Sequence, residues 1–552
     1  MFNRVLAAAT IAVLAPAAGL AQPSDTPVQT QTDTTPAPPA NLPPPVEQQQ
    51  LAPPDAWSVS AIARTGGALT PDLWSHSDPA FLVTLFDRLP ATYQSPAAQS
   101  LALRVLLSGG EAPSGDAREA ARKRFEALGK MGAADPLATM ASGAGGSLAD
   151  PVIAQYAAQA ELARGNRDQA CMRGRAATIT GEQVSPFLLR LRAFCSAVTG
   201  DRAAADLALA TPHAASSDDA WYATVITAVA GAAPARAPGA KYDNSLSTQL
   251  SLAANLRPGP NALANASTLA LVTLARADNA PQPQRAQAAA LAFRRGVISA
   301  QEARTILHAT PATVTTGLPS IATALRAVEA SPGSIDAGGA IAAVLQAAAQ
   351  PADFAATARF FRADINALQT APNAAAALQF ARAAIVNGDA QVAQRLVASA
   401  RQAGVDEASM GPLDAALAAL IGVRSDQGGP ALHRRMDAAG NTPAAKRAAA
   451  RDAMILSALG APIDGAVQSF IVQNAPQGGQ RAESGAMLSL ANAVEQGALG
   501  DAALLAAVAA GDGPAKLDAE SVDRIVRALR GVGLNDDARR FAVEAILAGP
   551  PA

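Results

Sequence analysis

The stretch Asp150–Ala210, DPVIAQYAAQAELARGNRDQACMRGRAATITGEQVSPFLLRLRAFCSAVTGDRAAADLALA, decides the fold. Asp150-Pro151 and Ser185-Pro186 each place a cap residue before a proline. That is the chemistry of a helix start, because the cap oxygen satisfies orphan backbone N–H groups and proline has none to leave unpaired. Gly165 and Gly200 supply matching stops, since glycine readily enters the left-handed conformation that closes a helix. Between these marks apolar residues recur at helical spacing. Helices are therefore predicted over 167–178 and 186–198, joined by a turn around Gly181. In such an antiparallel hairpin Cys171 and Cys195 lie at equal offsets from the turn, hence at one level. In an exported chain they are expected to form a disulfide. A redox pair would need Cys-x-x-Cys spacing, which is absent.

The same punctuation continues on both sides. Asp78-Pro79, Ser95-Pro96 and Thr442-Pro443 repeat the cap-and-proline start, and Gly388 and Gly531 repeat the stop. Ser217-Asp218-Asp219 and Asn535-Asp536-Asp537 offer carboxylates to the positive end of a helix dipole. The hydrophobic fraction is 50% but only 4% of residues are aromatic, because alanine supplies most of it. Alanine is the best helix former and a poor strand former. The expected class is all-α, with stacked helical hairpins forming an irregular α-solenoid. A net charge of -2, from 43 Lys+Arg against 45 Asp+Glu, leaves no basic footprint, so nucleic acid is not an expected partner. Lysine occurs only at 123, 130, 241, 446 and 516, and the preference for arginine reads as coding bias without functional content.

The hairpins recur. Ala158, Gly165, Ala170 and Ala177 form the pattern Ala-x6-Gly-x4-Ala-x6-Ala, a helix, a glycine turn and a second helix packing small residues on the first. Ala193, Gly200 and Ala205 follow, Ala381, Gly388, Ala393 and Ala400 repeat the whole pattern, and Gly533, Ala538 and Ala545 repeat its second half. The pattern resembles that of the tetratricopeptide family, whose repeats of about 34 residues carry small residues at these places. The resemblance covers 150–210 and 373–403 and, in part, 515–547. Ala154 and Glu161 stand where the family has first-helix aromatics. It implies helix pairs that bury their faces against neighbours and present a concave surface to a protein or peptide.

Residues 1–21 read as a secretory signal. Arg4 gives the positive start, residues 5–14 the apolar stretch, and Gly19-Leu20-Ala21 the small-residue cleavage pattern. The apolar stretch is interrupted by Pro16 and falls short of the roughly 20 residues that span a bilayer. The expectation is an exported chain in the periplasm of a Gram-negative-type bacterium, with no stable transmembrane insertion of its mature form. Residues 22–54, rich in Pro, Thr and Gln, read as a disordered, semi-rigid spacer. An N-terminal helical region containing the disulfide is expected over 55–230, a Pro/Gly-interrupted connection over 231–283, and a C-terminal helical region over 284–552.

No set of catalytic, cofactor-binding or metal-binding residues emerges. His76, His213, His308 and His433 are dispersed, with no two within a helical turn. Gly143, Gly145 and Gly146 are followed by Leu148 where a dinucleotide fingerprint needs its third glycine, and read as a linker. Neither Ser-x-x-Lys nor Gly-x-Ser-x-Gly occurs. Glu483-Ser484 followed by Gly497-Ala498-Leu499-Gly500 resembles in outline the catalytic region of exported lytic transglycosylase superhelices, where a glutamic acid in an apolar groove protonates the glycosidic oxygen. The chain continues with Asp501-Ala502, so the Leu-Met-Gln that completes that pattern is missing. Trp57, Trp74, Phe81 and Phe86 are expected to anchor the first helices on the array, and residues 118–124 to form a solvated helix face paired with Glu119 and Glu126. The expected function is a non-catalytic envelope protein presenting a helical-repeat surface to a protein or peptide partner. A cell-wall glycan-processing enzyme or its degenerate relative, and a passive structural protein, are the alternatives.

Overall fold

The computed structural model describes residues 55–177, 185–210, 220–231, 237–311, 320–368, 370–423 and 425–550. The expected signal, the spacer, the turn around Gly181, His213 and the helix start at 217–219 lie outside the described residues. Among the described residues there are 27 α-helices, two short 3-10 helices and no strand, apart from an isolated bridge between Gln480 and Leu517. The chain is all-α, built of packed helical pairs in an irregular solenoid. Among the described residues no helix is long and apolar enough to cross a membrane.

The punctuation works largely as the sequence predicts. Asp78, Ser95, Asp150 and Thr442 each accept a backbone N–H of the helix they open. Ser185 occupies its cap position but donates its hydroxyl to Gln155 Oε1 at 2.6 Å, so it ties two helices together instead of capping one. Gly165, Gly200 and Gly388 take φ values of +80°, +80° and +77°. Gly531 is still helical, and the turn falls two residues later at Gly533.

Three hairpins share one geometry: Pro151–Ala163 with Arg167–Ala176, Pro186–Val198 with Arg202–Leu209, and Ala374–Val386 with Ala390–Gln402. The pattern alanines Ala158, Ala170, Ala193, Ala205, Ala381, Ala393 and Ala400 are all buried between them. Their small side chains let the helix backbones approach.

The apolar core has two parts. The larger runs from Ala56 to Ile546, and the smaller, within 154–250, centres on Leu188, Leu191, Phe194, Val225 and Ile226. Pro151–Ala163 serves both, with Ala157 and Ala160 in the first and Ala154 and Ala158 in the second. The stretch expected to be a connection, 231–283, contains the helices Ser245–Ala253 and Thr268–Arg276, both packed on Pro151–Ala163. Cys171 and Cys195 are joined in a disulfide across the smaller part, with Cα atoms 5.9 Å apart.

The helix Arg118–Met131 departs from the expected solvated face. Arg118 and Arg122 do pair with exposed carboxylates, Asp116 and Glu119. Arg124 is fully buried. Its guanidinium donates to the carbonyls of Leu106, Ala56 and Ser108 at 2.8, 2.9 and 2.8 Å and to that of Trp57 at 3.3 Å, and lies 5.7 Å from the ring centroids of both Trp57 and Trp74. The reason is tertiary: Leu106 and Ser108 belong to the C-terminal end of Pro96–Leu107, where carbonyls lack intrahelical donors and a cation is favoured.

Candidate functional site

The solenoid does not present two free ends. Pro79–Asp87 and Pro96–Leu107, at its beginning, pack against Leu499–Ala510 and Asn535–Ala548, at its end. Gly500 makes the closest approach: a Cβ there would sit 2.8 Å from the Leu73 carbonyl and 2.9 Å from the Trp74 ring. Trp74 is wholly buried, with Trp57 and Phe86 edge-on to it at 5.5 and 5.9 Å. The aromatic cluster thus anchors the first helices, with the last helices as its seat; Phe81 is only half-buried.

Polar contacts lock the same seam. Ser77 donates to Asp501 at 2.6 Å, Arg104 pairs with buried Asp537, and Arg540 donates to Ser100 at 3.2 Å. Glu544 accepts from the Ser95 hydroxyl and the Ala97 N–H, both at 2.9 Å, so the last helix places a carboxylate on the N-terminus of Pro96–Leu107. The other Glu544 oxygen, Oε1, is buried with no hydrogen-bond partner.

Burial pushes the Glu544 carboxyl up to about 7 from an ordinary 4.5, and that of Asp501 up to about 6. Between 4.5 and 7 the folded protein keeps a proton on Glu544 that the unfolded chain has lost, so this group's contribution to stability declines as pH rises through that window. Glu544→Gln imitates the protonated form and retains an acceptor for Ala97. Thermal melts at pH 4.5 and 7.5 should show the variant equal to the wild type at the lower pH and more stable at the higher one. Equal melting temperatures at both would show that the carboxyl is not held protonated.

Where first, middle and last helices meet, they line a half-open cavity of about 1120 Å³. Its walls come from Pro96–Leu107, Pro351–Phe360, Ala374–Val386, Asn535–Ala548 and the end of Glu407–Ile421, with Gln480 and Lys516 beside the isolated bridge. The lining mixes apolar groups, among them Phe354, Ile385, Leu420 and Val543, with six cations and the carboxylates of Asp536 and Glu544. Arg359, exposed, and Arg382, half-buried, are distinctive because neither forms an ion pair with a described carboxylate; partial burial lowers the pKa of Arg382. Sequence reasoning passed over them. Their one local signal is that no acidic residue stands three or four positions away on either side, whereas Arg540 has Asp536 and Asp537.

Glu483 is elsewhere. It stands at the N-cap position of Ser484–Glu495, its side chain is 51% exposed, and its Oε1 accepts from Arg88 at 2.8 Å. It lines neither this cavity nor a smaller one near Trp57. The hydrogen bond from Arg88 lowers its pKa, the opposite of what a glycosidic acid requires. Of the described histidines, His308 contacts Glu329, His433 contacts Asp464 and His76 contacts Ser75. Among the described residues no three His, Cys, Asp or Glu side chains converge as a metal site. No protein-family model matches the chain, and no curated protein or solved structure does either.

Proposed function

We propose that this chain is a non-catalytic binding protein of the cell envelope, built of tetratricopeptide-like hairpins, that receives a segment of a protein or peptide partner in the cavity at its closing seam. The observation that carries the reading is the cavity itself. It offers about 1120 Å³ of space, and its lining of apolar and cationic side chains, with Asp536 and Glu544 among them, suits a polypeptide segment. The disulfide between Cys171 and Cys195 supports export, because such bonds persist in oxidising compartments.

The test is in-cell crosslinking of the tagged chain followed by affinity capture, comparing the wild type with Leu420→Trp and Leu547→Trp. Each substitution puts an indole into the cavity from a half-buried position on its wall. A partner captured in near-stoichiometric amount by the wild type and lost from both variants, at unchanged melting temperature, is the expected result. Capture of the same partner by the filled variants, or of none by the wild type, would overturn the reading.

A further inference from the structure

We propose that the cavity recognises acidic side chains of an extended peptide, with Arg359 and Arg382 as its carboxylate-binding groups. This rests on the reading that a polypeptide segment enters the cavity, and it adds the chemistry of that segment.

Six cations line the cavity: Arg359, Arg362, Arg382, Lys516, Arg539 and Arg540. Four of them form ion pairs with the protein's own carboxylates, Arg540 sharing Asp537 with Arg104. Arg362 pairs with Asp389, Lys516 with Asp512, Arg539 with Asp536 and Arg540 with Asp537. Arg359 and Arg382 have no such partner among the described residues. Each makes one long hydrogen bond, at 3.4 Å, to the carbonyl of Phe293 and of Leu547 respectively. Each also lies over an aromatic ring, Arg359 at 5.0 Å from the Phe293 centroid and Arg382 at 4.9 Å from that of Phe354.

A guanidinium carries five N–H donors in a planar fork. A ring face supports the flat side of such a group and leaves its edge for an in-plane, bidentate acceptor, which a carboxylate supplies. Arg382 is half-buried and has no counter-charge among the described residues, so an incoming anion gains more there than at an exposed arginine, while Arg359 is exposed and offers its fork directly. Both positions border the helix Pro351–Phe360: Arg359 lies on it, and Arg382 stacks on its Phe354. Apolar Phe354, Ile385, Leu420 and Val543 share the lining with them. A chain with both acidic and apolar residues matches this wall. A compact phosphate would leave the apolar surface uncovered.

The probe is fluorescent octaglutamate, with octaglutamine as its neutral counterpart, titrated against the full chain at fixed ionic strength and read by anisotropy. Saturable binding of octaglutamate but not octaglutamine is expected. It should weaken by roughly tenfold or more in Arg359→Gln/Arg382→Gln, the loss of at least one good charge-assisted contact. Arg118→Gln, an exposed arginine outside the cavity, should bind as the wild type does. Arg359→Lys/Arg382→Lys keeps the charges without the fork and should fall between, and it serves as the test if the glutamine pair unfolds. Absence of octaglutamate binding, or equal affinity in the wild type and both double variants, overturns the proposal. So does tight pyrophosphate binding that octaglutamate cannot displace, which would make this a phosphate site. Capture by crosslinking that survives in the double variant while being lost in the cavity-filled variants would remove the acidic-peptide assignment and leave the binding reading standing.

Discussion

Replacing Arg124 by methionine is expected to cost about 3 kcal/mol or more of folding stability, because the buried carbonyls it serves lose their donor. The four carbonyls that the guanidinium serves belong to Ala56, Trp57, Leu106 and Ser108. Methionine fills much of the volume and satisfies none of them; the Trp57 carbonyl keeps the Gly110 N–H at 3.0 Å, and each of the others left without a donor costs about 1–3 kcal/mol. Removal of the buried cation offsets part of this. Lysine should recover only a fraction, since one ammonium cannot reach all four oxygens. The damage should spread to the site, because Arg124 holds the C-terminal end of Pro96–Leu107 while the N-terminal end of that helix lines the cavity and receives Glu544. Chemical denaturation, together with hydrogen exchange of residues 96–107, measures both effects. A change below about 1 kcal/mol, the size of an ordinary surface substitution, would show that Arg124 is not the organising contact.

The second large effect is expected from opening the disulfide. Cys171 and Cys195 are 24 residues apart, and closing a loop of that size stabilises by about 3 kcal/mol in the chain-entropy description. Because the bond lies in the smaller core, the loss should be local. Cys171→Ser/Cys195→Ser should raise amide exchange and protease sensitivity within 167–229 and leave Leu499–Ala510 and the seam as protected as before. Free-thiol labelling of the denatured, unreduced wild type should find no reactive cysteine. Uniform loss of protection over the whole chain would mean that the two cores unfold as one.

The all-helical class, most helix starts, the glycine turns and the disulfide were legible because their causes are local. A cap oxygen reaches an N–H two or three residues on, and the left-handed turn at Gly165 concerns one residue's φ. The cysteines could be paired because they stand on consecutive helices, Arg167–Ala176 and Pro186–Val198. Ser185 and Gly531 show the limit even there: a neighbouring Gln155 redirected the first, and the second remained helical until Gly533. Arg124 was misread because its surroundings come from another helix's end, whereas Arg118, on the same helix, is indeed exposed and Arg122 is half-buried. Glu483 resembled a catalytic acid through the residues around it, at a stretched spacing; its exposure and the hydrogen bond from Arg88, distant in sequence, were legible only in the fold.

The sequence by itself therefore determined that this is a chain of alanine-lined helical hairpins stapled by Cys171 and Cys195, since hydrogen bonding within a turn and packing within a hairpin act over a few tens of residues. Only the tertiary structure decided that Gly500 admits Trp74 and that the first and last helices meet. It also decided that Arg359 and Arg382 border the resulting cavity without an ion-pair partner among the described residues. Those outcomes depend on contacts between residues hundreds of positions apart, and whether a charge is neutralised depends on which distant carboxylates the fold brings beside it.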